Sequence, residues 1–492
     1  MHIEADSPLG GVETRTIDMV PETERHGSPR SQFTLWFGAN MQITAVVDGA
    51  LAIVFGAEAL TAIIGLLIGN VIGGIVMALH SAQGPRLGLP QMISSRVQFG
   101  VRGAALPLVL VILMYLGFAA TGTVLSGQAI NRIFGVSSPE FGILVFGSLT
   151  AFVAVVGYRL IHVVGRIATV VGILGFGYLA FQLFAHHDVA SAFGQKPFSV
   201  ATLLLTIALS AGWQMTFAPY VADYSRYLPT RTTIASTFWT TFSGSVIGAQ
   251  LAMTFGVLVA ALGGNFLKNQ VGFMGDLAGG PVIAALIYMV IVTGKLTVNC
   301  LNAYGGFMTI LTTVSGFNNK TQISSRARML YIVGFVLVSM GVALLASADF
   351  LNNFKNFVLL LLAVFVPWSA VNLVDYYLVS KEKVDIPALY DCNGRYGAYN
   401  PVALGCYVLG VVVQIPFLNQ AMYKGPIATM LGGADLSWIV SLVVTCLVYY
   451  PLAKRTMKVP ATMIYPSDAA SQGAPTSRAA MHAVAPDARQ PA

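Results

Sequence analysis

Lys295, Asn299 and Asn302 lie in the middle of an apolar run, PVIAALIYMVIVTGKLTVNCLNAYGGFMTIL, that extends from Pro281 to Leu311 and is long enough to cross a bilayer. At about 100° per residue, offsets of four and seven return to nearly the same angle, so an ammonium and two carboxamides share one helical face. A charge at mid-membrane depth costs roughly 2.5 to 3.5 kcal/mol on insertion scales, which confines such groups to protein interiors, polar cavities and solute pathways. The chemistry on offer is recognition of a polar solute inside a membrane.

Two further stretches interrupt apolar runs in ways that suit the same task. In WFGANMQITAVVDGALAIVFG, Gly38 and Asn40 break the pattern. A glycine beside a carboxamide is what a locally unwound membrane helix needs, because its freed backbone groups must find a ligand, ion or water; close helix packing explains the glycine equally well. Asp48, deeper in that run, reads either as a proton-relay or ion-ligand carboxylate or as an acid tucked against a polar neighbour. In LTIALSAGWQMTFAPYVADYSRYLP, Gly212 and Pro219 weaken the helix around Trp213 and Phe217, four residues apart on one face. Flat solutes stack on aromatic rings, and ordinary core aromatics would look the same. Asp223, Arg226 and Tyr227 at its exit suit an inner gate or a membrane-edge anchor. Tyr115 and Phe118 precede Gly122, Ser126 and Gly127 in another run, where small residues point to close helix packing.

These residues must be held by membrane helices. Hydrophobic residues make up 56% of the 492 and charged residues 10%, with mean hydropathy +0.73, leaving too little polar surface for a soluble domain of this size. Twelve apolar stretches follow: 33–55, 60–80, 104–130, 141–157, 165–184, 199–221, 234–262, 281–311, 329–346, 356–378, 402–419 and 436–452. Residues 1–32 form a polar segment without signal-peptide character, and 459–492, rich in Ala, Pro and Ser, reads as a disordered tail. Of 27 Lys and Arg, only Arg132, Lys196, Lys268, Lys355 and Lys424 fall on one side, with Lys295 inside a span. That bias places both termini in the cytoplasm of a plasma-membrane protein. It also accounts for a pI near 9.2 without nucleic acid. Cys300, Cys392, Cys406 and Cys446 have neither metal nor disulfide spacing, and His186 and His187 read as a solvated loop. No nucleophile elbow, phosphate loop or zinc motif is present, so neither an enzyme nor a cofactor protein is expected, and no obligatory protein partner is evident.

Six separated motifs, IDMVPETERHG (17–27), WFGAN (36–40), HSAQGPRLGLPQMISSRVQFG (80–100), APYVADYSRYLP (218–229), NCLNAYGG (299–306) and PWSAVNLVDYY (367–377), together resemble the purine and cytosine permeases of the nucleobase-cation symporter family. The resemblance covers about residues 15 to 455. It implies an all-α, leucine-transporter-type membrane fold: inverted five-helix repeats over 33–184 and 199–378, then two helices over 402–452. It places a substrate site between the broken first and sixth helices and the third and eighth, with Phe118 and Phe217 as the stacking rings. Asn302 becomes the substrate carboxamide, with Asn299 beside it, and Trp213, Gly38 and Asn40 line the site. Gly122 stands where some relatives carry a polar residue, which leaves cytosine, a purine, hydantoin, allantoin or a vitamin ring open as substrate. Sodium-using relatives supply small residues and hydroxyls from the eighth helix; here TGKLT offers Thr293 and Thr297 around Lys295. A fixed ammonium repels sodium, so a proton-coupled symporter is expected, with Lys295 the first candidate for the coupling group and Asp48 the second; a snorkelling or carboxylate-paired lysine is the alternative for that residue, and a sodium-coupled carrier of hydantoin, allantoin or vitamin-type rings, or a passive facilitator or channel, the alternative for the protein.

Overall fold

The computed structural model describes residues 17–156, 158–263, 266, 269–318, 324–420 and 423–466, with backbone alone at 156, 158–169 and 325. Residues 1–16, Lys268, Lys320 and residues 467–492 of the expected tail lie outside that set. Its long helices are α1 (Arg30–Asn40), α2 (Ile43–Val54), α3 (Ala59–Ser81), α4 (Ala105–Phe134), α5 (Pro139–Val156), α6 (Tyr158–His186) and α7 (Val200–Met215). They continue as α8 (Ile234–Leu262), α9 (Pro281–Asn318), α10 (Ser325–Ala346), α11 (Phe350–Leu373), α12 (Pro401–Val412) and α13 (Ser437–Thr456). Among the described residues, 6 helical stretches are long and apolar enough to cross a membrane, or 7 if the bent pair α1 and α2 is one span, and four shorter apolar helices accompany them. Large apolar side chains face outward on these helices, Leu345 with 85% of its surface exposed, as lipid contact requires.

Two expected spans are broken, and local chemistry explains both. α1 ends at Asn40, where the Met41 amide turns back to the Phe37 and Gly38 carbonyls, both at 3.2 Å. Gln42 is extended (φ −146°, ψ 158°) and α2 restarts after it, bent by 58°. The interruption therefore follows Gly38 and Asn40 rather than containing them. α7 stops at Met215, and residues 216–221 run as turns before the short helix Ala222–Ser225. Pro219 sits in that turn, where it lacks an amide to donate and its ring blocks a helical continuation.

α8 closes on the broken pair through glycine. A Cβ at Gly256 would overlap the Val46 carbonyl oxygen and stand 3.1 Å from the Ala50 amide, and one at Gly49 would meet the Met253 backbone in return. The two backbones approach so nearly that neither position holds a side chain. Gly256→Leu is expected to cost about 1 to 3 kcal/mol through overpacking, seen as a lower melting temperature of the detergent-purified protein.

Both described chain ends lie on one face. The Val20 amide bonds Gly88 O at 2.9 Å and the Tyr390 hydroxyl bonds Ile17 O at 2.7 Å. Ile386 N donates to Ile464 O at 3.0 Å, and the Tyr465 hydroxyl to Arg86 O at 3.2 Å. On this face Glu22 accepts from the Thr230 hydroxyl and amide, bonds that hold its carboxyl below the usual carboxylate range.

Candidate functional site

The polar face of α9 is buried: Lys295 is 2% exposed, Asn299 1% and Asn302 7%. It lies against α4, where a Cβ on Gly122 would overlap Asn299 Oδ1 and come within 2.8 Å of Lys295 Cε. Glycine there makes the room in which both side chains sit. Asn299 Nδ2 donates to Ala119 O at 2.9 Å and Thr123 Oγ1 at 3.1 Å. A backbone carbonyl only accepts, so the amide's orientation is set chemically, and Asn299 Oδ1 is left buried without a partner. Asn302 Nδ2 is also buried and without a partner. One acceptor and one donor, three residues apart on the same face, are thus unspent within the protein.

Lys295 neither snorkels nor meets a carboxylate. Its Nζ donates to Thr44 Oγ1 at 2.6 Å, in the first turn of α2, and to Gln42 Oε1 at 2.9 Å, in the break between α1 and α2. Thr297 bonds only within its own helix, to Thr293 O at 3.3 Å. Asp48 lies one turn beyond Thr44 on α2, fully buried, with neither carboxylate oxygen hydrogen-bonded.

The aromatic residues gather at the second break. Trp213, 1% exposed, makes edge-to-face contacts with Phe217 at 5.7 Å and Phe118 at 5.8 Å. Because α7 ends at Met215, Trp213 and Phe217 meet across the turn and not along a helix face. Phe217 also touches Trp36 at 5.4 Å and Tyr220 at 6.0 Å, while Tyr115 reaches Tyr220 at 5.4 Å, so rings from α1, α4 and the residues after α7 floor one region. Asn40 joins the two breaks. Its Oδ1 accepts from Trp213 Nε1 at 2.6 Å, and its Nδ2 donates to Trp36 O at 2.7 Å and Ser245 Oγ at 3.1 Å. Gly38 lies inside the last turn of α1, half-buried, its carbonyl taken by Met41. Asp223 caps the neighbouring connection, its Oδ1 accepting from the Gln91 amide at 2.8 Å.

Sequence reasoning missed the groups that complete this arrangement. Gln42 and Thr44 hold Lys295, and Ser245 passes from Asn40 to Gln214 Oε1 at 2.6 Å, whose Nε2 reaches Asn70 Oδ1 at 3.0 Å. Their signal was present as carboxamides and hydroxyls inside apolar runs, yet nothing in one sequence pairs residues 173 or 251 positions apart. A separate cavity of about 570 Å³ begins at Val124, one residue past Thr123, and runs toward the face opposite the termini past Gln128, Asn131, Arg132 and Asn269.

Comparison with known proteins gives three concordant findings. The family model described as permease for cytosine/purines, uracil, thiamine, allantoin matches residues 19–441. YxlA of Bacillus subtilis, named for the purine-cytosine permeases, is 36% identical over 447 residues, 91% of this chain and 97% of that one. The purine-cytosine permease fcyB of Emericella nidulans is 26% identical, covering 87% of this chain and 85% of its own. Among solved structures, Mhp1, a nucleobase-cation-symport-1 family transporter held closed with bromovinylhydantoin, superposes with TM-score 0.70 at 19% identity over 90% of this chain and 96% of that one. Its inward-facing form gives 0.71 at 18% identity over 91% and 94%. These likenesses agree with the leucine-transporter-type arrangement.

Proposed function

The chain belongs to the family of permeases for cytosine and purines, uracil, thiamine and allantoin, and from that premise we propose that it is a proton-coupled symporter importing a nucleobase-like planar heterocycle such as cytosine or a purine. The observation that carries this reading is the unspent pair on α9, Asn299 Oδ1 and Asn302 Nδ2. A buried acceptor and a buried donor left open call for a ligand edge that offers a donor and an acceptor side by side. Amidine and lactam edges of nucleobases have that pattern. Phe118 and Phe217 supply faces for a flat ring, with Trp213 between them; stacking adds about 0.5 to 1.5 kcal/mol per pair beyond area burial. Gly38 and Asn40 shape the break that borders the site.

Lys295 is the coupling group in this reading and Asp48 its partner in the cycle, while the Thr297 hydroxyl donates within its own helix and makes no bond to Lys295. The ammonium is bonded to Gln42 in the break between α1 and α2 and to Thr44 just after it, and a fixed positive charge there disfavours a second cation. The face bearing the termini is cytoplasmic, in agreement with the Lys and Arg bias, and the membrane is the plasma membrane.

Uptake of radiolabelled cytosine, hypoxanthine, uracil and hydantoin into proteoliposomes, under separately imposed pH and sodium gradients, tests the reading. Accumulation of a nucleobase that collapses with a protonophore is the expected result. Uptake that follows sodium and ignores pH, or that never exceeds equilibrium, identifies a sodium-coupled carrier or a passive facilitator and rejects the proposal.

A further inference from the structure

Asp48 is the buried group that the protein leaves most conspicuously unsatisfied. A carboxylate out of water is tolerated where it is paired, hydrogen-bonded or exchanging a proton. The first two are absent: it is 0% exposed and neither oxygen has a hydrogen-bond partner. The helices packed on α2 leave few other titratable groups to serve it. α7 and α8 carry none, and α3 carries only His80, which bonds Ser369 Oγ at 3.1 Å and Gln91 Nε2 at 3.2 Å. α11 carries Lys355, whose ammonium lies 3.8 Å over the Phe55 ring at the far end of α2. α4 carries Tyr115, in contact with Tyr220, and Arg132, in the wall of the outer cavity. What remains is Lys295, reached through Thr44. That hydroxyl sits four residues before Asp48 on the same helix face, about 5 to 6 Å away between Cβ atoms, and accepts from Lys295 Nζ at 2.6 Å.

We infer that Asp48 receives the coupling proton on the way in and that the Thr44 hydroxyl conducts it to Lys295, so that the two buried ionisable groups work as one proton-sharing pair across the helix break. In the transfer, protonated Asp48 turns to donate to Thr44 Oγ1, a bond it does not make in the arrangement seen here, and gives its proton there as the Thr44 hydroxyl proton passes to the neutral Lys295 amine. Asp48 ends as carboxylate and Lys295 as ammonium, with no change in net charge. Neither group then stands buried as a lone charge through the cycle. The inference rests on the proton-coupled reading above and assigns Thr44 as a proton relay that a purely structural view of α2 would treat as helix packing.

The test uses the full chain in proteoliposomes with the membrane potential clamped at zero. With one proton moved per base, a gradient of one pH unit sustains about a tenfold accumulation, whereas an uncoupled carrier sustains none. Wild type is expected to reach that ratio, and Asp48→Asn to fall to near unity while still exchanging internal for external base at symmetric pH. Asp48→Glu restores a pH response. Thr44→Val is expected to behave like Asp48→Asn and Thr44→Ser like wild type, which keeps the test open should Asp48→Asn fail to fold. Wild-type pH-driven accumulation in Asp48→Asn or Thr44→Val overturns the inference, as does loss of exchange and accumulation in equal proportion without rescue by Asp48→Glu or Thr44→Ser. Failure of the broader reading is distinct, because it appears in wild type as base uptake that ignores pH or does not occur.

Discussion

Lys295→Met is expected to abolish accumulation of base against its gradient and to flatten the dependence of uptake on external pH. The ammonium is fixed to Gln42 and Thr44, so it holds α9 against the joint between α1 and α2. Methionine has similar length and fills the same volume beside Gly122, but it neither carries charge nor exchanges a proton. A second variant separates charge from proton exchange. Arg keeps the positive charge and cannot lose it at any accessible pH, so Lys295→Arg is expected to bind base and yet fail to accumulate it. Uptake in proteoliposomes under an imposed pH gradient reads both outcomes. An unchanged pH response in Lys295→Met clears this residue of the coupling role.

Asn302→Ala is expected to lose base binding while leaving the protein folded and in the membrane. Its Nδ2 donates to nothing within the protein, so its removal leaves no internal donor bond broken. The loss falls on the ligand, whose acceptor is stranded in a dry site; this costs about 1 to 3 kcal/mol, or roughly five- to a hundredfold in affinity. Asn299→Ala makes the informative contrast. That side chain ties α9 to α4 through Ala119 and Thr123, so its loss should lower thermal stability as well as affinity. Binding of labelled base to purified protein, read beside melting temperature, distinguishes the two. Wild-type affinity in Asn302→Ala would falsify the assignment of its amide to the substrate.

Much of the architecture was legible in the chain because a bilayer imposes one-dimensional rules. Apolar runs of fixed length mark where helices stand, and buried polar residues within them mark where function concentrates. Pro219 and the Gly38–Asn40 interruption announced both broken helices for the same reason, since a proline or an unwound turn is a local backbone event. The errors were also local in origin. The break after α1 falls at Met41 and Gln42, where backbone angles and not composition decide it, and α9 runs to Asn318, beyond the apolar stretch that ends at Leu311.

Partnership is what the sequence by itself could not determine. Helical periodicity set Lys295, Asn299 and Asn302 on one face, yet it could not say that the lysine meets two neutral groups from residues 42 and 44 while Asp48 is left alone. The family resemblance put Asn40 in the lining of the substrate site, but the three hydrogen bonds its side chain makes are all within the protein, joining Trp213 to Ser245. Gly122 appeared as a close-packing glycine and a missing polar group; against α9 it is the space in which Asn299 turns its carbonyl free. Residue type states which bonds a side chain is able to make. Only the approach of helices far apart in the chain decides which of them are already made, and the ones left open define what the site can hold.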